Sequence, residues 1–236
     1  MAEILTTGLA GKWGLTYGTP AFFLVMVVCA VASYLLGSIN FAVVFSKAFR
    51  HDDVRTHGSG NAGSTNMLRT FGLKMALLTL FCDVLKGALA TLLGLFMMPY
   101  YTGFAYVCAL CCMLGHAFPV YYGFKGGKCV ATFAGAALVL NPPVWVLLVL
   151  SFVLIVYISR YVSLGSVICV SLFPLLINFI PFISITLEDG TVAGTPPAGI
   201  IGAFLMAVLV VVLHRKNIVR LWKGEESKIS FKKKKS

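Results

Sequence analysis

Pro197-Ala198-Gly199-Ile200-Ile201-Gly202-Ala203-Phe204-Leu205-Met206-Ala207-Val208-Leu209-Val210-Val211-Val212-Leu213 is an apolar run without a charged side chain, closed by His214-Arg215-Lys216. Crossing roughly 30 Å of hydrocarbon takes about 20 helical residues whose backbone groups pair internally, so the run reads as a transmembrane helix. Working outward, comparable stretches lie near 19–46, 74–98, 100–116, 129–140, 143–159 and 163–183. Those at 100–116, 129–140 and 143–159 are short, interrupted by Pro99, the polar insert 115–128 and Asn141-Pro142-Pro143. Five or six full spans with a re-entrant piece is one partition; seven is preferred, the short members being sheltered by their neighbours.

Composition agrees. Of the 236 residues 59% are hydrophobic and 11% charged, with a mean hydropathy of +0.92, whereas soluble domains run near roughly 45–50% and 25%. A soluble enzyme, a disordered tail and a nucleic-acid-binding module are excluded, and the expectation is one all-α, polytopic membrane domain over 1–236. The first apolar run is too long for a signal-peptide core and should remain as a span. Seven cysteines, six of them inside apolar runs, argue against a disulfide framework. Cys108, Cys111, Cys112 and His116 lack the partners of a closed metal site, so neither metal nor cofactor is expected.

The net charge is +11. With seven spans, the alternate segments 47–74, 117–128, 160–162 and the tail 215–236 hold 17 of the 19 lysines and arginines, and Glu3, Glu188 and Asp189 fall on the other side. Short basic loops stay cytoplasmic, which puts the N-terminus outside and the C-terminus inside. The closing run Phe231-Lys232-Lys233-Lys234-Lys235-Ser236 reads as a solvated end that contacts anionic lipid heads.

Three polar clusters lie on the basic side. The first spans Asp53 to Arg69. Its Gly58, Gly60 and Gly63 permit unusual backbone dihedrals, so N–H groups of Gly58, Gly60 and Asn61 can converge on an anion. Ser59, Thr65 and Asn66 add neutral donors and Arg69 a permanent charge. Gly58 to Gly63 spells G-x-G-x-x-G, but a membrane helix precedes it where the dinucleotide motif needs a strand. The second, Gly115 to Lys128, places Gly126 and Gly127 with the Lys128 ammonium before an apolar helix, where anions are favoured. Tyr122 and Cys129 break the P-loop pattern.

The third runs from His214 to Glu226. His214, Asn217 and Ile218 share a helical face by the i, i+3, i+4 rule, and Glu226 can pair with a basic group to hold the tail. Within the second span Asp83 and Lys86 stand one turn apart, where ionisable groups are costly and pair in the bundle interior; a structural ion pair is the first expectation.

Taken together, the motifs resemble the bacterial acyl-phosphate:glycerol-3-phosphate acyltransferase family, PlsY. The resemblance covers nearly the whole chain: Tyr34-Leu35-Leu36-Gly37-Ser38-Ile39 before the first loop, Gly58-Ser59-Gly60-Asn61 with Gly63, Thr65, Asn66 and Arg69, then Gly115 to Thr132, then His214-Arg215-x-Asn217-Ile218-x-Arg220-Leu221-x-x-Gly224-x-Glu226. Asp83-x-x-Lys86-Gly87 is similar too. The resemblance implies seven spans with the motifs cytoplasmic, residence in the bacterial inner membrane, and acyl transfer from acyl-phosphate to the 1-hydroxyl of glycerol 3-phosphate. The products would be lysophosphatidic acid and phosphate, the first acylation of phospholipid synthesis, without cofactor. It makes Ser59, Arg69, Lys128, His214 and Asn217 essential, Gly126-Gly127 a phosphate loop and Glu226 chiefly structural.

The donor is already activated, so positioning and charge stabilisation can supply most of the barrier reduction. A substrate phosphate oxygen is expected to take the hydroxyl proton while His214 orients the acceptor. The H-x-x-x-x-D pair of the other glycerolipid acyltransferase class is missing: five residues past His51, His57, His116 and His214 stand Thr56, Ala62, Tyr121 and Val219. Cys129 departs from the family's glycine after Gly-Gly-Lys, and tolerance is expected because a residue opening a helix needs no positive φ. The alternative function, a transporter or flippase for a phosphorylated metabolite or lipid, would place its polar groups near the midplane.

Overall fold

The computed structural model describes residues 8–15, 18–98, 103–180, 185–186, 192–193 and 195–229. Glu3, Pro99, Glu188, Asp189 and the lysine run 231–236 lie outside them. The regular structure among the described residues is helical apart from one antiparallel ladder pairing Ile185 with Ala193 and Thr186 with Val192.

The first apolar stretch is two helices. Helix α1 (Pro20–Ser38) opens on Thr19, whose Oγ1 accepts from the Phe22 amide at 3.3 Å. It stops at Ile39 because Asn40 caps a second helix, α2 (Phe41–Arg50), by accepting from the Val43 amide at 3.2 Å. A chain break at this depth frees carbonyls that need a donor. The buried Lys86 ammonium supplies it, donating to Gly37 O at 3.1 Å and Ile39 O at 2.8 Å. The expected single stretch 19–46 is thus corrected by a side chain far along the sequence.

Helix α3 (Ser64–Phe71) is followed directly by the long α4 (Leu73–Met97), and α5 (Gly103–Ala117) packs beside α1 and α4. These helices touch backbone to backbone. A side chain at Gly37 would strike Cys112 O at 2.0 Å, one at Gly115 would strike Tyr34 O at 2.1 Å, and one at Gly135 would strike Val84 O at 1.9 Å. Small residues at such seams allow close packing in the absence of a hydrophobic drive between helices.

Helix α6 (Val130–Leu140) is short of a span by itself. It joins α7 (Pro142–Ser159) through Asn141, which accepts from Val144 N at 3.0 Å and donates to Ile180 O at 2.6 Å. Helices α8 (Val162–Phe179) and α9 (Pro197–Leu213) complete the bundle, and α10 (Arg215–Trp222) leaves α9 at a 60° bend. Phe133 and Phe173 meet edge to face at 5.2 Å in the core, among Ala137, Leu140, Ile177 and Met206. On α7, Leu150, Val153, Leu154 and Ile158 are exposed, as a lipid-facing surface requires.

Five described apolar runs have the length to cross a bilayer: Pro20–Arg50, Leu73–Met97, Gly103–Tyr122, Pro142–Ser159 and Val162–Phe179. The bent pair α9 and α10 makes a sixth if counted as one. The protein is a helical, multi-pass membrane protein.

Candidate functional site

The first loop is built on Asn66. Its Oδ1 accepts from the Ser59 amide at 3.0 Å and its Nδ2 donates to Val54 O at 2.9 Å and His57 O at 3.0 Å. Both amide hydrogens are therefore spent on backbone, and Asn66 shapes the loop instead of offering a donor to a ligand. Gly58 and Gly60 hold φ of 55° and 68°, a region that favours glycine, and a side chain at Gly58 would strike Asn66 Oδ1 at 2.3 Å. Ser59, Asn61 and Thr65 line a cavity that Gly58 and Gly60 do not reach.

Arg55 ties this loop to the next. Its guanidinium binds Asp53 through Nε to Oδ1 at 3.0 Å and Nη2 to Oδ2 at 2.8 Å, while Nη1 donates to Tyr122 O at 3.1 Å and Lys125 O at 3.3 Å. The Arg55 hydrogen bonds pull the Asp53 carboxyl down to about 2, so the clamp stays ionised.

In the second loop the expected free amides are occupied. Gly126 N donates to Ala117 O at 3.1 Å and Gly127 N to His116 O at 3.0 Å. The two glycines serve close approach: a side chain at Gly126 would strike His116 O at 2.0 Å, and one at Gly127 would strike His116 Nε2 at 2.2 Å. Neither lines the cavity, whereas Lys128 and the first turn of α6 do. The reading of Gly126 and Gly127 as amide donors to phosphate is corrected accordingly.

The reasoning about Cys129 is corrected as well. It opens α6 with φ 65°, in the left-handed region, and its buried Sγ donates to Met113 O at 3.0 Å. The loop must turn sharply to aim Lys128 into the cavity, and a non-glycine residue carries that strain.

Asp83 and Lys86 pair at 2.8 Å inside the membrane. His116 joins them, its Nδ1 at 2.9 Å from Lys86 Nζ and 3.6 Å from Asp83 Oδ1. The imidazole considered as a metal ligand is thus engaged with an ion pair, directly behind Gly127.

The third cluster forms where α9 bends into α10. His214, just past the last residue of α9, donates from Nδ1 to Val210 O at 2.8 Å, which leaves Nε2 as the acceptor of a neutral imidazole. Burial pushes its pKa down to about 4 against the effect of that bond. Asn217 accepts from Lys128 Nζ and donates to Glu226 Oε1 at 2.7 Å. Ser163 donates to the same oxygen at 2.9 Å, and Arg220 Nε reaches Glu226 Oε2 at 2.7 Å. Burial raises the Glu226 pKa, but the bonds from Arg220, Asn217 and Ser163 outweigh it and hold the carboxylate below its ordinary range. Burial lowers Lys128 to about 8, opposed by Glu226 and reinforced by Arg220 and Arg69. Ile218, expected to share the face of His214 and Asn217, is 37% exposed.

These groups surround one end of a cavity of about 530 Å³ between α3, α4, α6, α7, α8 and the α9–α10 bend. Ser59, Thr65, Arg69, Lys128, His214, Asn217, Arg220 and Glu226 line that end; Asp83 and His116 also reach the cavity, and Leu77, Leu80, Val84, Phe133, Ala137, Leu148, Phe152 and Val170 line the rest. Arg69 lies across it and donates to Ser227 O at 3.3 Å. Three contributors were not assigned from sequence. Arg220 stands one helical turn after Asn217, Arg55 two residues after Asp53, and Ser163 carried no local signal.

Comparison with known proteins bears on the fold and the family. A family model described as Glycerol-3-phosphate acyltransferase matches residues 27–224. A Glycerol-3-phosphate acyltransferase of Syntrophomonas wolfei is 43% identical over 205 residues, covering 86% of this chain and 96% of the relative. One from Clostridioides difficile is 39% identical over 211 residues, covering 88% and 97%. The crystal structure of PlsY, an integral membrane glycerol 3-phosphate acyltransferase, in its glycerol 3-phosphate form superposes with a TM-score of 0.76 at 33% identity, covering 87% of this chain and 96% of that one. Its lysophosphatidic acid form gives 0.74 at 32% identity, covering 87% and 95%. Matched by that family model over most of its length, and by relatives over nearly all of theirs, the chain belongs to the glycerol-3-phosphate acyltransferase family, PlsY.

Proposed function

We propose that the protein transfers a fatty acyl group from acyl-phosphate to the 1-hydroxyl of glycerol 3-phosphate, giving lysophosphatidic acid and inorganic phosphate. The observation that carries this reading is the cavity itself, with Arg69 and Lys128 at one end and an apolar lining between membrane helices at the other. Both substrates are anionic at the phosphate and one is a lipid, so each finds its match in a single site. The relatives' glycerol 3-phosphate and lysophosphatidic acid forms support the acceptor and the product.

In this reading Arg69 and Lys128 neutralise phosphate charge, with the Ser59 and Thr65 hydroxyls as further donors. The neutral His214 orients the acceptor through Nε2, leaving the 1-hydroxyl proton free for a phosphate oxygen. The hydroxyl oxygen adds to the acyl carbonyl carbon, the carbon–oxygen bond to phosphate breaks, and its electron pair leaves on the phosphate. A phosphate oxygen takes the hydroxyl proton, so no protein base is consumed. Asn217 and Glu226 hold Lys128 in place, Asn66, Gly58 and Gly60 shape the Ser59 loop, and Gly126 and Gly127 let the second loop close on His116. Asn61 lines the acceptor side.

The same proposal includes seven spans, an external N-terminus and cytoplasmic basic segments in a bacterial inner membrane, supported by the distribution of 17 of the 19 cationic side chains. The test supplies purified protein with labelled glycerol 3-phosphate and either acyl-phosphate or acyl-CoA. Labelled lysophosphatidic acid is expected with acyl-phosphate; turnover confined to the thioester, or to neither donor, would reject the reading.

A further inference from the structure

Four helices enter the cavity from its charged end and run along it. Helix α4 follows Arg69, α6 follows Lys128, α8 begins beside Ser163, and α7 ends next to it, with Val156 near the charged end and Trp145 at the other. At a rise of 1.5 Å per residue, Trp145 and Val156 are about 16 Å apart along α7. Counted along the four helices from the charged residues, the last lining positions are Val84, which follows the lining Asp83, then Ala137, Trp145 and Val170. Three are small, and the indole is the one bulky group among them.

Trp145 is held firmly. The first turn of α7 carries Pro142 and Pro143, Asn141 caps it and anchors to Ile180 O at 2.6 Å, and Trp145 N donates to Asn141 O at 2.9 Å. A tryptophan placed by the membrane interface turns its N–H toward water or head groups. Here Nε1 is buried with no hydrogen-bond partner among the described residues, and the ring packs on the core that includes Ala137, Leu148 and Val170.

We infer that Trp145 forms the floor of the acyl groove and sets the length of chain the enzyme prefers; this rests on the acyl-phosphate reading above. A shorter side chain opens room for further methylenes at the distal end of the acyl tail, and each methylene newly buried is worth about fourfold in affinity. The test measures kcat/KM for lauroyl, myristoyl, palmitoyl and stearoyl phosphate with wild type, Trp145→Phe, Trp145→Leu and Trp145→Ala in nanodiscs. The ratio of stearoyl to myristoyl turnover is expected to rise by about fourfold or more in Trp145→Ala, with Trp145→Leu and Trp145→Phe between it and wild type. Should Trp145→Ala fail to fold, the two milder variants carry the comparison. Parallel loss at every length, or an unchanged ratio, overturns the floor while leaving the donor reading intact. Wild-type protein inactive with all four donors overturns the donor reading and this inference with it.

Discussion

Lys128 donates its ammonium to the Asn217 amide oxygen, and the same amide donates to Glu226 at 2.7 Å, so a cation from the second loop is positioned by a helix that follows the last apolar segment. Each partner is buried or nearly so, and none can be removed without stranding another. The second and third polar clusters, far apart in sequence, become one site through this chain of contacts, and Arg55 ties the first cluster to the second.

Asn217→Ala therefore leaves Lys128 and Glu226 each short of a partner. An unsatisfied buried polar group loses about 1–3 kcal/mol, so kcat/KM is expected to fall by about tenfold or more. Steady-state kinetics on Asn217→Ala and Glu226→Gln check this, with the smaller loss in Glu226→Gln, which keeps the size and an acceptor. Wild-type kinetics in Asn217→Ala would remove the network from the mechanism.

The pH dependence follows from Lys128. Burial lowers its pKa to about 8, so the ammonium is present below that value and is lost as pH rises through it. Affinity for an anionic substrate should fall on the alkaline side, seen as a rise in KM above about pH 8. A guanidinium stays charged over this range, and Lys128→Arg should flatten the alkaline limb even where its turnover is reduced. An alkaline limb unchanged in Lys128→Arg would assign it to another group.

Lys86 is the structural centre of the membrane interior, serving Asp83, His116 and the carbonyls of Gly37 and Ile39. Lys86→Met removes one member of a buried pair and should destabilise the fold by about 3–5 kcal/mol. Lys86→Met with Asp83→Asn should recover part of that loss by removing the stranded charge. Thermal unfolding in detergent reads both variants, and a single variant as stable as wild type would contradict the role.

Cys129 provides a backbone test. A left-handed residue with a Cβ stores about 1–2 kcal/mol, and β-branching makes it worse. Cys129→Val should lower the melting temperature by about 2–8 °C, at roughly 2–4 °C per kcal/mol in a chain of this size. Cys129→Gly should remain folded and active. Equal melting temperatures for all three proteins would show that the loop relaxes freely.

Much of this was legible in the residues because membrane helices announce themselves by composition. The apolar runs at 74–98, 143–159 and 197–214 correspond to α4, α7 and α9 within a few residues. The break at Ile39-Asn40 was hidden, since what stabilises it is an ammonium on another helix. Of the candidate site, Ser59, Thr65, Arg69, Lys128, His214 and Asn217 line one cavity. The roles of Asn66, Gly126 and Gly127 were not readable, because a donor's availability depends on which carbonyls the fold brings to it. Positive φ at Cys129 was equally out of reach, being imposed by the turn between Lys128 and α6.

The most direct measurement follows both products at once, in a reaction of purified protein with palmitoyl phosphate and glycerol 3-phosphate, beside Arg69→Ala. Lysophosphatidic acid and inorganic phosphate are expected in equal amounts, with neither formed enzymatically when glycerol 3-phosphate is omitted, and with at least a tenfold loss in Arg69→Ala, about the 1.4 kcal/mol that a single charge-assisted hydrogen bond supplies. Enzymatic phosphate release without lysophosphatidic acid, or full activity in Arg69→Ala, would contradict acyl transfer at this site.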